Sequence, residues 1–277
     1  MKFRIYKDRE DREDMSKIYM ITLPRTNTYA EFNALMRYMR QNDVHKWVIG
    51  AEQGKGGYDH WQIRLQIGKT WEEVKRDFGA KAHIEEASDK WTYECKEGVC
   101  WKSSDRAENR QQRFGRLRYA QKRIIEHLES TTDREVVVWY DEEGNAGKSW
   151  LTGALWERGL AYFAVADTSG KTIVMDIASE YLKNGWRPYI VIDIPRAGKW
   201  TPELYEAIER IKDGLIKDPR YSSEAVNIHG VKILVNANTM PKLDKLSKDR
   251  WKIVTQTEMN NEEEYVNTWG EKPGAFS

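Results

Sequence analysis

Cysteine is nearly absent: Cys95 and Cys100 are the only two in 277 residues, and neither has another Cys or a His at ligand spacing. So low a count argues against a structural zinc site and against a disulfide framework, and it points to a reducing compartment. A net charge of one sign is also missing, with 45 Lys+Arg against 44 Asp+Glu. That balance excludes a uniformly basic nucleic-acid coat, so any basic site must be local. Long apolar runs are missing too. The longest, such as Tyr189–Ile194, have strand length, far below the roughly 20 residues of a membrane helix. The opening MKFRIYKDREDRED has no apolar core of the kind a signal peptide needs. These absences lead to the expectation of a soluble, intracellular chain. What is present is 40% hydrophobic and 32% charged residues, enough apolar surface for about two folded domains. Twelve tryptophans stand out; they suit either thick cores or stacking on flat ligands.

The first third reads as a small sheet with helices. Lys17–Leu23 is β-rich and stops at Pro24. Thr28 and Glu31 have capping-box spacing, and Phe32, Leu35, Met36 and Met39 follow at helical intervals. Val44–Glu52 is a second strand, closed by the Gly-rich turn Gly54–Gly57. His60–Ile67 alternates, with Trp61, Ile63, Leu65 and Ile67 on one face and His60, Gln62, Arg64 and Gln66 on the other. Thr70 and Glu73 cap a helix that ends at Gly79. Ala82–Glu86 is a fourth strand, and Ser88 or Asp89 opens a last short helix. The order β-α-β-β-α-β-α is a ferredoxin-like split pattern.

Three features of this unit converge. His60 and Gln62, two apart on a strand, leave the same face; together they suit a divalent metal or a plain exposed polar face. Glu52 ends the neighbouring strand and offers a hard carboxylate oxygen of the kind Mg²⁺ or Mn²⁺ prefers. Tyr93 and Lys96 are three apart in a helical segment and face the same way. A lysine there would stabilise a phenolate and a developing phosphate charge, although a core tyrosine fits the same spacing.

Ile21-Thr22-Leu23, Glu52, His60-Trp61-Gln62 and Tyr93-Glu94-Cys95-Lys96-Glu97-Gly98 resemble the three endonuclease motifs of replication-initiator (Rep) proteins. Those are the rolling-circle initiators of circular single-stranded DNA viruses, whose nuclease domain is of the HUH type. Ala82-His83-Ile84-Glu85 resembles the same group. Pro24 departs from the Asn common after the T-L pair, and Gln62 stands where two-His forms carry a second metal-binding histidine. The resemblance implies that Glu52, His60 and Gln62 hold one Mg²⁺ or Mn²⁺. It further implies that Tyr93 attacks the scissile phosphate of single-stranded DNA, with Lys96 steadying the charge.

Between Asp105 and Ser130 seven Lys/Arg outnumber four acidic residues, and Leu117, Ala120, Ile124 and Leu128 recur at helical spacing. The expectation is one amphipathic helix, either a solvated connector or an oligomerisation helix with a basic side toward DNA.

The second half carries the context of a phosphate-binding loop. The strand Glu135–Tyr140 runs into Asp141-Glu142-Glu143 and then Gly144, Asn145, Ala146, Gly147, Lys148 and Ser149, with a helix to follow. In such a loop backbone N–H groups cradle phosphates, Lys148 reaches the β/γ oxygens and Ser149 ligates Mg²⁺. Glu142 replaces the usual leading glycine. Gly170-Lys171-Thr172 has the same form but reads better as the start of a helix. Tyr189–Ile194 ends at Asp193, the acidic strand end that would bind Mg²⁺ or its water, and Asp193-Ile194-Pro195-Arg196 resembles the form in nanovirus, alphasatellite and smacovirus-like initiators. Val231–Val235 leads to Asn238, which matches the asparagine of superfamily 3 helicases. Arg250 fits an arginine finger acting across a subunit boundary or an ordinary surface arginine capping a helix equally. Lys217–Tyr221 suits a loop that grips single-stranded DNA.

Taken together, the expected fold is an α+β ferredoxin-like HUH endonuclease domain with an antiparallel sheet over 1–103. A basic helical linker follows at 104–130, then an α/β P-loop ATPase with a central parallel sheet over 131–254 and an acidic flexible tail over 255–277. The resemblance implies a rolling-circle initiator that nicks and rejoins origin DNA and uses ATP with Mg²⁺ to unwind or translocate. It also implies single-stranded and stem-loop origin DNA, host replication proteins and further copies of the chain, in a hexameric ring, as partners. The expected location is the nucleus of a eukaryotic host, otherwise the cytoplasm. Two alternatives stay open: an ATP-dependent RNA helicase with an RRM-like domain, and a DNA-binding initiator with an inactive ATP site.

Overall fold

The apolar alternation of Trp61, Ile63, Leu65 and Ile67 lies at the centre of an antiparallel sheet. A computed structural model describes residues 16–54, 56–166, 170–219 and 224–269, with side chains as far as 264. The chain divides into two units, Met1–Arg110 and Gln111–Ser277. The first contains β1 (Lys17–Pro24), α1 (Thr28–Gln41), β2 (Trp47–Gln53), β3 (Asp59–Ile67), α2 (Trp71–Phe78), β4 (His83–Glu86), a 3-10 turn at Tyr93–Cys95 and β5 (Cys100–Lys102). The strand order is β4-β1-β3-β2-β5, antiparallel throughout. Leu35 and Met39 of α1 and Val74 of α2 pack on Tyr19, Ile21, Ile49, Trp61 and Ile63, each full burial contributing about 1.5–3 kcal/mol.

Local signals place most of these elements. Thr70 and Glu73 form the expected reciprocal cap, and Gly79, at φ 79°, ends α2. Helix α1 differs: Asn27, not Thr28, is its N-cap, accepting from the Ala30 N–H. The Glu31 carboxylate instead collects the Thr26 and Asn27 N–H groups and the Trp61 indole. The helix expected from Ser88 or Asp89 is only the 3-10 turn, with no side-chain cap. The second face of β3 is not the open polar surface its alternation suggests, because Gln62 and Arg64 are buried. Strand β5 was not foreseen. It brings Cys100 to Cys95 in a disulfide, correcting the reading from composition and removing its argument for a reducing compartment. The cause is local: the turn at Tyr93–Cys95, followed by Gly98 at φ 76°, sends the chain back along β2.

The second unit is built on a parallel sheet of order β12-β6-β11-β8-β7. Its strands are β6 (Val136–Tyr140), β7 (Ala161–Val165), β8 (Tyr189–Asp193), β11 (Lys232–Ala237) and β12 (Trp251–Thr255), with a small hairpin of β9 (Leu215–Lys217) and β10 (Ala225–Asn227). Val136 and Val138 face one core, with α6 (Gly170–Asn184) and α7 (Pro202–Asp213); Val137 and Trp139 face another, with α5 (Lys148–Glu157). Burial on both faces explains the near-continuous apolar runs of these strands.

Two expectations fail in this half. The segment read as a single amphipathic helix is two helices, α3 (Ala107–Phe114) and α4 (Tyr119–Glu129). They break at Gly115, where a Cβ would come 2.2 Å from the Gln111 carbonyl. Ala120, Ile124 and Leu128 of α4 are core residues of the parallel sheet, so α4 is neither a solvated connector nor a free apolar face. The acidic tail is also more ordered than composition suggests. Helix α8 (Gln256–Trp269) follows β12, with Met259 buried among Ile124 and Leu128. Thr255 and Glu258 exchange hydrogen bonds at its start, an S/T-x-x-E signal that the acidic composition masked. Residues 270–277 lie outside the described residues. Among the described residues no helix is long and apolar enough to cross a membrane.

Candidate active sites

In the first unit, strand register does the assembling. Glu52 on β2 lies directly opposite His60 on β3, and the His60 Nε2 is 3.4 Å from Glu52 Oε2. Glu52 is 2% exposed, and its other oxygen, Oε1, is buried without a hydrogen-bond partner. Gln62 sits two residues along β3, where the Thr22 hydroxyl of β1 donates to its Oε1 at 3.0 Å. One oxygen lone pair is thereby used and the amide is oriented. A buried acceptor with nothing to accept is what a cation ligand looks like in its absence, so carboxylate, imidazole and amide oxygen suit a hard divalent ion. Among the described residues no three His, Cys, Asp or Glu side chains form a metal cluster; this trio includes an amide.

Above this group the 3-10 turn places Tyr93 and Lys96. Lys96 Nζ is 2.5 Å from Glu52 Oε2 and 3.8 Å from the centroid of the Tyr93 ring. Burial works against the Lys96 charge, yet Glu52 and the Tyr93 hydroxyl outweigh it and raise its pKa. Tyr93 itself is 50% exposed. The expectation that Tyr93 and Lys96 face the same way is met, on a turn rather than a helix. Lys96 also bridges Tyr93 to the Glu52 pair, which sequence spacing did not reveal. Gly50 makes the arrangement possible: a Cβ there would come 2.0 Å from the Glu94 carbonyl. The Gln53 N–H donates to Glu97 at 2.9 Å, holding the far side of the turn. Three further neighbours join the site: Thr22, quoted above only as part of its motif; Arg64, placed above only on the polar face of β3 and here ion-paired with Glu94 at 2.7 Å; and Tyr58, not singled out by the sequence, whose ring stacks on His60 at 5.9 Å. Thr22 and Arg64 project from β1 and β3, which carry the motif, and Tyr58 stands just before β3.

In the second unit the candidate residues meet at the C-terminal ends of β6, β8 and β11. Asn236 is in register with Asp193, and Ala237 with Tyr140. Gly144, Asn145 and Gly147 have φ of 86°, 66° and 90°, backbone conformations that recur in loops whose N–H groups bind anions. Helix α5 starts at Lys148. The Lys148 ammonium donates to Asp141 Oδ2 at 3.3 Å and to the Ala237 carbonyl at 3.2 Å, and burial lowers its pKa. Asn238 donates to the Asp141 carbonyl at 2.5 Å. Burial raises the pKa of Asp193, with the Asn236 amide and Lys148 opposing. Ser149 is exposed beside the loop.

Arg196 belongs here although it was noted only as part of a motif: it donates to the Glu142 and Glu143 carbonyls at 3.0 and 2.6 Å. Gly170-Lys171-Thr172 begins α6, as expected. Gly170 is required there by close packing, since a Cβ would lie 1.9 Å from the Glu203 carbonyl.

Arg250 is not brought to this group. It precedes β12, whose Trp251 is in register with Val136, so it lies about 15 Å away, one strand length from the loop end. Its side chain is 12% exposed and faces Glu209 at 3.9 Å. Of the loop expected to grip DNA, Lys217 is exposed on β9 and Asp218 is buried; Arg220 and Tyr221 lie outside the described residues.

No protein-family model matches the chain. Para-Rep C3 of Milk vetch dwarf C3 alphasatellite is 31% identical over 138 residues, covering 48% of this chain and 46% of that protein. Para-Rep C6 of Subterranean clover stunt C6 alphasatellite is 31% identical over 142 residues, 50% of this chain and 47% of that protein. The master replication protein of Subterranean clover stunt virus (strain F) is 28% identical over 131 residues, 47% and 43% respectively. The chain's curated homologues are Rep proteins of nanovirus alphasatellites and master replication proteins of nanoviruses. The chain spans about half the length of the curated relatives it matches. Among solved structures, a formyltetrahydrofolate deformylase from Pseudomonas putida KT2440 covers 92% of the chain at a TM-score of 0.18 and 6% identity, too low to bear on fold or function.

Proposed function

We propose that this chain is a viral-type replication initiator of the rolling-circle kind. On this reading the first unit is an HUH-type single-stranded DNA endonuclease and joining enzyme. The second is a P-loop, superfamily 3-like ATPase that unwinds or translocates on DNA. The observation that carries the reading is Lys96, held between the buried Glu52 carboxylate and the exposed Tyr93 ring, with His60 on the same carboxylate oxygen. The Rep homologues support the same class.

Glu52, His60 and Gln62 would hold a divalent Mg²⁺ or Mn²⁺, which when bound supplies Lewis-acid polarisation of the scissile phosphate. Tyr93 is exposed enough to meet a DNA strand. Its phenolic oxygen bonds to phosphorus while the bond to the departing 3′ oxygen breaks, leaving a 5′-phosphotyrosine and a free 3′-OH. Lys96, adjacent and charged, favours the phenolate and offsets the extra negative charge on the phosphate. The phosphodiester energy is kept in the link, so attack by a 3′-OH reverses the step without ATP. In the second unit Lys148 would reach the β/γ phosphates, Ser149 and Asp193 the Mg²⁺ that accompanies ATP, and Asn238 the γ-phosphate or attacking water. Arg250, which lies away from its own chain's loop and faces Glu209, would act as an arginine finger only on the ATP site of a neighbouring copy. The partners that follow are single-stranded and stem-loop origin DNA, host replication proteins and other copies of the chain.

A second reading, an initiator whose ATP site is inactive, is favoured by two residues of the site: Glu142 in place of the leading glycine of the loop, and Ile194, not an acid, after Asp193. The first reading is tested with labelled single-stranded DNA and Mn²⁺. Wild type should form a covalent adduct resistant to denaturation, and Tyr93→Phe should form none while binding the DNA as well. An adduct that persists in Tyr93→Phe refutes the assignment.

A further inference from the structure

Tyr93 stands on a segment with almost no regular structure of its own. Between β4 and β5 the chain makes a single 3-10 turn, Tyr93–Cys95, closed by the Cys95 and Lys96 N–H groups on the Thr92 and Tyr93 carbonyls and tied on its C-terminal side to β5 by the Cys95–Cys100 disulfide. What lies beneath it is unusual for a sheet surface. Glu94, next to the exposed Tyr93, points the other way and is 1% exposed. It meets Arg64 of β3, itself 5% exposed, whose Nε donates to Glu94 Oε1 at 2.7 Å. The same guanidinium donates from Nη1 to the Ser88 carbonyl at 2.6 Å and approaches the Met20 sulfur at 3.7 Å. One rigid fork therefore ties the start of the segment and its turn to the sheet.

Adhesion alone is a poor explanation of this pair. Burying two opposite charges costs about as much in lost hydration as the attraction returns, and an apolar pair of similar volume would stabilise as well or better. The imbalance is visible, because Glu94 Oε2 is buried without a partner. What the ion pair adds is direction: the disulfide and the Lys96 and Glu97 contacts hold the C-terminal side of the turn, and the planar N–H donors of Arg64 hold the Glu94 side in one geometry, which apolar side chains would not. We propose that Arg64 and Glu94 are positioning residues that fix the orientation of the Tyr93 turn above the Glu52–His60 pair. The proposal rests on the reading of Tyr93 as the nucleophile. Neither residue touches the DNA; both act through the turn.

The test compares wild type with Arg64→Met and Arg64→Lys in two measurements. In single-turnover adduct formation with labelled single-stranded DNA, Arg64→Met should lower the rate at saturating DNA about tenfold or more. The half-saturating DNA concentration should stay within about twofold. Arg64→Lys should recover part of the rate, since an ammonium can satisfy one of the two acceptors but not both. A wild-type rate in Arg64→Met, or a loss confined to the half-saturating concentration, overturns the proposal. The second measurement needs no activity. Amide hydrogen exchange in the peptide covering Trp91–Gly98 should quicken in Arg64→Met while β1 and β3 keep their protection; unchanged exchange there also overturns it. If wild type itself forms no Tyr93 adduct, the nucleophile reading fails, and the exchange measurement still decides whether Arg64 anchors the turn. Should Arg64→Met not fold, Arg64→Lys carries both readouts.

Discussion

Lys212, on α7, is 7% exposed, and its ammonium donates to the Val231 carbonyl at 3.3 Å. Burial lowers its pKa to about 8, with Asp133 opposing and Lys232 and Arg250 adding to the shift. A base whose folded pKa falls below its unfolded value penalises the fold while charged. The penalty is full below about 8 and fades as pH rises toward 10.5. Lys212→Met should therefore raise stability at pH 7 by roughly 1–3 kcal/mol, with a gain that shrinks between pH 8 and 10. Urea unfolding at the two pH values checks this, and a loss at pH 7 would refute it. At this scale the candidate residues were readable because each carries rare chemistry at a telling spacing: Glu52, His60, Gln62, Tyr93 and Lys96 in one unit, Lys148, Asp193 and Asn238 in the other. Arg64 and Glu94 were not, since an arginine on a polar strand face looks solvated until something covers it.

Elements were legible where the signal is local. The Thr70–Glu73 cap and Gly79 bracket α2 because both act within one turn of backbone. The 3-10 turn under Tyr93 has no such signal; its place depends on Gly50, forty-odd residues earlier, presenting no side chain. Gly50→Ala should push the turn off β2, since the new methyl would overlap the Glu94 carbonyl. A stability loss of about 1–3 kcal/mol is expected, together with loss of the Tyr93 adduct at a much smaller change in DNA affinity. Thermal unfolding and the adduct assay check it, and a fully active Gly50→Ala would refute it. Helix α4 failed for the converse reason. Ala120, Ile124 and Leu128 keep their helical period on α4 while Leu117 falls in the break before it, and the surface that covers the stripe is the parallel sheet of its own unit, which periodicity does not name.

For the whole molecule, two sheets with separate cores fit two chemistries carried on one chain. Lys148→Ala should abolish ATP hydrolysis while adduct formation by the first unit stays near the wild-type rate. Parallel ATPase and adduct assays check this, and a wild-type ATPase rate in Lys148→Ala would refute the phosphate-loop assignment. The charge balance also takes on a different meaning at this scale. With a net charge of +1, Arg64 and Arg113 are buried in ion pairs with carboxylates of their own units, so part of the basic complement is structural. The tryptophans divide likewise: Trp61 and Trp101 cluster with Phe32, and Trp200 and Trp251 with Tyr205. Thick cores account for these better than stacking on bases.

Strand and helix periods, the Thr70–Glu73 cap and the order of the motifs were written in the linear chain, because each depends on residues within a turn or a strand of one another. They sufficed for an antiparallel and a parallel sheet and for naming Glu52, His60, Gln62, Tyr93 and Lys96 as one group of candidates and Lys148, Asp193 and Asn238 as another. The Lys96 bridge from Glu52 to Tyr93, the Arg64–Glu94 pair, the Cys95–Cys100 disulfide and the inward turn of Arg250 came only with the folded chain. Each joins groups on different elements, and their meeting depends on strand register and on which face a neighbour covers. Neither quantity is carried by any short stretch of residues.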